Sequence, residues 1–412
     1  MTAGIDIAEL PEVLKTWRDF LECRLPVLPG FAEIGRIAEL ADSILTCGMK
    51  LKKQVPPSGV DLPPGCVAVV ANISAGLFGG PLSQLLKCLA AVKVRGEFEK
   101  NGVSAVAVCY VSGDSPPGFS PWEICLVDRG SKLHCLKSSA DGNEVERIFP
   151  DGDREALSAL KEAFAPGLNV VASCARWFEY LLKDFGVIVV EDGAVAAGRD
   201  SGGSEPRCLR QGRELPVAAF VADSLEIGEY VKALPLYERE GIPRPLVWPC
   251  PDATISGARS MKTLKRYGLD FTRLFEGKER VMDYVRGTLK SDVPDGLRKL
   301  LDEARAVLDE LETAAFAARA ERSDRVHKAR AARITYQLEK IQRHSRGALA
   351  DKEKAAENRI RKACDFLAPL GRRQQDTLGA AQIPLSYGLA GLHALYERLD
   401  IATTNHQLME LI

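Results

Sequence analysis

The stretch VAVVANISAGLFGGPLSQLL, Val67 to Leu86, decides how this chain reads. Val67, Ala68, Val69 and Val70 form an apolar run. It ends in Asn72-Ile73-Ser74-Ala75-Gly76-Leu77-Phe78-Gly79-Gly80, and Pro81 then opens a helical pattern. That order is a buried strand, a glycine-rich turn and a helix start. Glycines let a ligand approach backbone N–H groups closely, and a helix start favours negative charge. Proline suits the first helical turn, where its missing N–H costs nothing. The turn points either to an anion or nucleotide-sized ligand above it or to a tight strand-to-helix connection alone. It is neither G-x-G-x-x-G nor G-x-x-x-x-G-K-[ST].

Outward from this stretch, Gly80–Lys100 reads as a helix and Ser104–Val111 as the next buried strand. Strand, helix, strand predicts a parallel sheet with a right-handed crossover. The loop SGDSPPGFSPW follows the second strand, at the end where ligands of open α/β sheets collect. WEICLVD and KLHCLKS flank Arg129-Gly130-Ser131 and predict a hairpin. Helices are expected at 153–164, 172–185, 225–240, 258–267 and 279–289, and strands at 187–190, 215–221 and 245–248. The Gly-, Ser- and Arg-rich run 192–213 reads as a mobile loop. Ahead of the core, 7–23 and 31–53 read as amphipathic helices.

Leu297, Leu301, Ala304, Leu308, Leu311, Ala315 and Ala318 alternate spacings of four and three, a narrow apolar seam. It breaks near Arg322-Ser323-Asp324 and resumes with Ile334, Leu338 and Ile341, then Ile360, Ala363 and Phe366. Ser323 can cap a new helix. Two antiparallel helices of unequal length are expected, with the turn near Ser323, packed on each other or on a second copy; the alternative is one unbroken helix. The division is 1–65 as N-terminal helices on the core, 66–290 as a Rossmann-like α/β core, 291–370 as a helical coiled-coil arm, and 371–412 returning to the core.

With a formal net charge of −1 over 412 residues, the chain is not a general nucleic-acid binder or a polybasic membrane binder. The acidic start MTAGIDIAEL lacks the pattern of a signal peptide, and no apolar run reaches the roughly 18 residues of a membrane span. A cytoplasmic protein is expected. Eleven cysteines without a C-x-x-C pair read as reduced core thiols. No His or Cys spacing suggests a metal site.

The motif AGLFGGPL, with Lys87 and Ala90-Ala91-Val92-Lys93, resembles the bacillithiol synthase family, the cysteine-adding enzymes that complete bacillithiol. VCYVSGD, the stretch Leu215–Thr254 with Glu226, Tyr230, Tyr237, Gly241, Pro243, Pro249 and Thr254, the arm segment Tyr336–Lys340, and the ending with Tyr387-Gly388 and His406-Gln407 are also similar. The resemblance implies a Rossmann-like core, a coiled-coil homodimer and a bound ADP- or ATP-like nucleotide. It also implies amide formation between the carboxyl group of cysteine and the amine of glucosaminyl-malate. The chain departs from the family at Ala71-Asn72-Ile73-Ser74, where Thr-Gly-Gln-Gln is usual. It departs again at Asp114-Ser115-Pro116-Pro117, which lacks the family's histidine, and at Cys250, where an arginine is often found. A non-catalytic relative that keeps the scaffold is therefore the alternative, and a coiled-coil interaction protein a third reading.

Amide formation needs an activated carboxylate, a neutral amine and stabilisation of an oxyanion. Ser74 and Asp114 are the catalytic candidates; Asp114 would orient the amine or accept its proton. Asn72, Gly76, Gly79 and Gly80 are the candidate nucleotide cradle. Lys87, Asp223, Ser224, Glu226 and Tyr230 are the candidate substrate contacts. Lys87 offers a charge for a carboxylate or phosphate. Ser224 also suits a helix N-cap, and Glu226 and Tyr230, four apart, share one helix face.

Overall fold

The computed structural model describes residues 3–5, 41–46, 60, 62–113, 120–137, 141–192, 206–291, 295–317, 321–403 and 405–411. Asp114 and the two helices expected within 7–23 and 31–53 lie outside them, apart from a helical segment at 41–46. Contacts divide the chain into two units, Met1–Ala258 with Asp365–Ile412, and Arg259–Cys364.

The first unit is mixed α/β around a five-stranded, all-parallel sheet. Its strands are β2 (Val67–Ser74), β3 (Ala105–Ser112), β6 (Val187–Glu191), β7 (Val217–Ala222) and β8 (Leu246–Pro249), in the order β6-β3-β2-β7-β8. Every residue of β2 is buried, as expected for a central parallel strand covered on both faces. Helix α1 (Leu82–Lys100) carries the chain from β2 to β3. After β3 the chain moves outward to β6 and then returns to the other side of β2 as β7. The strand order thus reverses between β2 and β7, and the crevice at their carboxyl ends is the topological switch point.

The helices of this unit are α2 (Gly142–Ile148), α3 (Arg154–Ala163), α4 (Val170–Leu182), α5 (Arg207–Glu214) and α6 (Ser224–Glu240). The run read as a mobile loop therefore contains a helix, α5. A second sheet pairs β9 (Ala253–Ser256) in parallel with β10 (His406–Glu410), which pairs antiparallel with β1 (Ala3–Ile5). The expected hairpin forms as β4 (Ile124–Val127) and β5 (Leu133–Leu136). It brings a correction: Cys125 and Cys135 are joined by a disulfide, so these two are not reduced core thiols.

The second unit includes α8 (Lys278–Ser291), α9 (Asp295–Ala317) and most of α10 (Glu321–Leu367), after α7 (Ala258–Tyr267). On the seam, Leu308 and Ile360 are buried, whereas Ile334 and Ile341 are exposed. The second helix begins at Glu321, so Ser323 lies inside α10 rather than at its start. Helices α11 (Gln374–Thr377) and α12 (Gln382–Arg398) belong to the first unit. No described helix is long and apolar enough to cross a membrane.

Candidate functional site

At the switch point, the side chain of Lys87 reaches from α1 across the end of β2. Its Nζ donates to the Asn72 carbonyl at 3.1 Å, to Asp223 Oδ2 at 2.9 Å and to Glu226 Oε2 at 2.8 Å. Lys87 is 2% exposed, so its charge is acceptable only because these oxygens surround it. Burial works to lower its pKa, but the carboxylates of Asp223 and Glu226 outweigh that and hold it above the usual lysine range. The ammonium stays protonated.

Asp223 and Glu226 meet Lys87 because both sit at the start of α6. The Glu226 N–H donates to Asp223 Oδ1, and the Asp223 N–H donates to Glu226 Oε2, each at 3.0 Å. This reciprocal pairing is a capping box. The Asp223 carbonyl accepts from the Ile227 N–H, so Asp223 is the N-cap and Ser224 is the first helical residue. That corrects the reading of Ser224 as the cap. Burial raises the pKa of Glu226, with repulsion from Asp223 adding to it; Lys87 and Arg207 act against that rise.

Helix α5 supplies the residues that the sequence reading missed. Arg207 Nη1 donates to Ser112 Oγ at 2.6 Å, and its Nη2 lies 3.6 Å from Glu226 Oε1. Gln211 Nε2 donates to Asn72 Oδ1 at 2.7 Å. The available signal was spacing: Arg207, Arg210 and Gln211 are three and four apart, on one helical face. Arg210 pairs with Asp192 at 2.6 Å just past β6.

Between these elements lies a pocket lined by Asn72, Arg207, Glu226, Glu229, Tyr230 and the apolar side chains of β7 and β8. Its volume of about 20 Å³ holds roughly one water. Of the expected substrate contacts, Glu226 and Tyr230 reach this pocket. The Tyr230 hydroxyl is engaged elsewhere, donating to the Pro245 carbonyl at 2.7 Å.

The glycine turn lies apart from the pocket. The Gly76 N–H donates to Cys174 Sγ at 3.3 Å, that of Gly79 to the Gly76 carbonyl and that of Gly80 to the Leu77 carbonyl, both at 3.1 Å. The Ser74 N–H donates to Gln84 Oε1. Phe78 holds a left-handed backbone (φ 51°), unusual for a bulky residue, and is buried edge-on against Phe164. A Cβ at Gly79 would stand 2.7 Å from the Trp177 ring. A nucleotide phosphate needs free donors, and these amides are bonded within the protein. Gly76, Gly79 and Gly80 thus do not fit that group in this arrangement. Among the described residues no cluster of three or more His, Cys, Asp or Glu side chains could hold a metal ion.

Fold and site together define a mixed α/β protein with a charged, buried cluster at the switch point of a parallel sheet. Three bacterial proteins described as "Putative cysteine ligase BshC" resemble the chain. The match to that of Solibacter usitatus is 25% identical over 213 residues, 49% of this chain and 39% of the relative. That to the Koribacter versatilis protein is 22% identical over 144 residues, 31% and 27% of the two chains. That to the Salinibacter ruber protein is 25% identical over 204 residues, 49% and 37%. The matched stretch thus spans less than half the length of each relative, and the chain is similar to the BshC proteins at low identity. No family model matches the chain.

Proposed function

We propose that the chain is a cysteine ligase, joining the carboxyl group of cysteine to the amine of glucosaminyl-malate. The similarity to the BshC proteins motivates the substrates. The observation that carries the reading is Glu226: a half-buried carboxylate on the pocket wall, fixed by Lys87 and by the capping box. An amine attacks only when neutral and must lose a proton as the amide forms. A carboxylate with a raised pKa suits that transfer. Arg207, on the same pocket wall, complements a carboxylate, while Glu226 and Glu229 complement an ammonium. A free amino acid carries both charges. Its entry requires the pocket to widen by side-chain movement.

In this reading Lys87 orients Glu226 and keeps its own proton, and Asp223 holds the start of α6. The carboxyl oxygen displaced by the amine must leave on an activating group such as phosphate, and ATP as co-substrate would supply it. The exposed apolar side chains Ile334 and Ile341, seven residues apart on one face of α10, would form a homodimer contact with the same face of a second copy. Incubating the purified protein with both substrates, with and without ATP, and measuring the product by mass tests the proposal. A new amide of the expected mass supports it. No product, beside an active synthase as control, refutes it and leaves a scaffold without this chemistry.

A further inference from the structure

Cys125 and Cys135 stand directly opposite each other in the β4–β5 hairpin and are bridged. The destinations of the neighbouring backbone groups explain why. The Val127 N–H donates to Gln382 Oε1, and its carbonyl accepts from Gln382 Nε2. The Cys125 carbonyl accepts from the Gly379 N–H at 2.9 Å. Both residues therefore turn their main-chain groups away from β5. The 125/135 pair is then of the non-hydrogen-bonded kind, the closer of the two cross-strand spacings, with its Cα atoms 4.1 Å apart. Two cysteines placed there face each other whether or not they are joined.

The two sulfurs differ in access. Cys125 is buried against Val127 and Leu378, with Leu133 and Phe366 packed beside them. Cys135 is exposed. Lys137, just past the end of β5, pairs with Glu123 at 3.6 Å. By contrast, Cys88, Cys174 and Cys250 are buried, and burial pushes their pKa values up, Cys174 to about 12. The hairpin thus holds a vicinal pair with one reachable sulfur.

We propose that Cys125–Cys135 is an exchange site for low-molecular-weight thiols, entered at Cys135. A small thiolate attacks the Cys135 sulfur. The protein S–S bond breaks, a mixed disulfide forms at Cys135, and Cys125 leaves as a thiolate that takes a proton from water. A second small thiolate attacks the outer sulfur of the mixed disulfide and releases Cys135. Two thiols are oxidised to one small disulfide and the protein pair is reduced; the reverse sequence closes the bridge. This rests on the hairpin alone and is independent of the ligase reading.

The test uses the full chain in buffers of fixed cysteine-to-cystine ratio, followed by acid quenching, alkylation and peptide mass analysis. As cysteine rises, the 125/135 pair is expected to pass from no alkylated thiols to two, with Cys88, Cys174 and Cys250 free of cysteine adducts throughout. In Cys125→Ser, Cys135 has no partner and is expected to accumulate one cysteinyl adduct. In Cys135→Ser, the buried Cys125 is expected to take none. A wild-type bridge that opens only when the protein unfolds, or a pair that remains as two thiols at every ratio, overturns the proposal. The wild-type titration decides this without either variant.

Discussion

Lys87 Nζ lies 2.8 Å from Glu226 Oε2, linking the first crossover helix to the opening turn of α6 across the switch point. Removing the ammonium leaves the partly buried Asp223 and Glu226 carboxylates with Arg207, 3.6 Å from Glu226, as the remaining cation, whereas removing the Glu226 charge as well relieves part of that imbalance. Lys87→Met is expected to cost about 3–5 kcal/mol of stability. Lys87→Met with Glu226→Gln is expected to cost less than the sum of the two single changes. Urea unfolding of the four proteins measures both. Full additivity would show that the pair does not act as a unit.

Glu226→Gln keeps the shape of the side chain and an oxygen able to accept the Asp223 N–H. It removes proton acceptance. If Glu226 is the base in the ligation, kcat should fall by roughly 10²–10⁴-fold with little change in KM. Neighbouring Glu229, which also lines the pocket, serves as the comparison. An equal loss in Glu229→Gln, with Glu226→Gln near wild type, would reassign the base.

Gly79 adopts φ +93° and faces Trp177, whereas Gly65 adopts φ +77° with open space where a Cβ would stand. Alanine strains the backbone at both positions but overpacks only at Gly79. Gly79→Ala is therefore expected to be more destabilising than Gly65→Ala, by about 1–3 kcal/mol. Thermal or denaturant unfolding of the two variants reads the difference. Equal effects would mean that the glycines serve backbone conformation alone.

The strand–turn–helix at Val67–Leu86 was legible because an apolar run bounded by glycines has few other folds open to it, and β2, α1 and β3 follow the expected order. Lys87, Asp223 and Glu226 could be singled out in the sequence, but not joined: Lys87 is far along the chain from the other two, and only the reversal of strand order beside β2 brings it to them. Helix α5 was hidden because Gly, Ser and Arg around it imitate a loop, while its structure depends on Arg207 and Gln211 finding Ser112 and Asn72. The cysteine bridge was hidden for a related reason. Pairing across a hairpin depends on register, and a ten-residue separation carries no signature of it. Fate of the glycine amides was equally invisible, since the acceptor for Gly76 is Cys174, 98 residues away.

Asp252 contacts His406 at the start of the C-terminal strand and Arg373 ahead of α11. His406 Nδ1 lies 3.2 Å from its Oδ1, and Arg373 Nη1 donates to its Oδ2 at 3.3 Å. Burial works to raise the pKa of Asp252, but His406 and Arg373 prevail and hold it below the ordinary carboxylate value of 3.8. The folded state thus binds this proton less readily than the unfolded chain. The stabilisation is complete above pH 3.8 and is lost as pH falls through the lower folded value. Asp252→Asn removes it at every pH. The variant is expected to be less stable than wild type by about 3 kcal/mol near neutrality, with the gap narrowing as the solution is acidified below the ordinary carboxylate range. Denaturant unfolding of both proteins between neutrality and the onset of acid unfolding measures this gap. A gap that stays constant down to the acid transition would show that the ionisation of Asp252 is not what ties β10 in place.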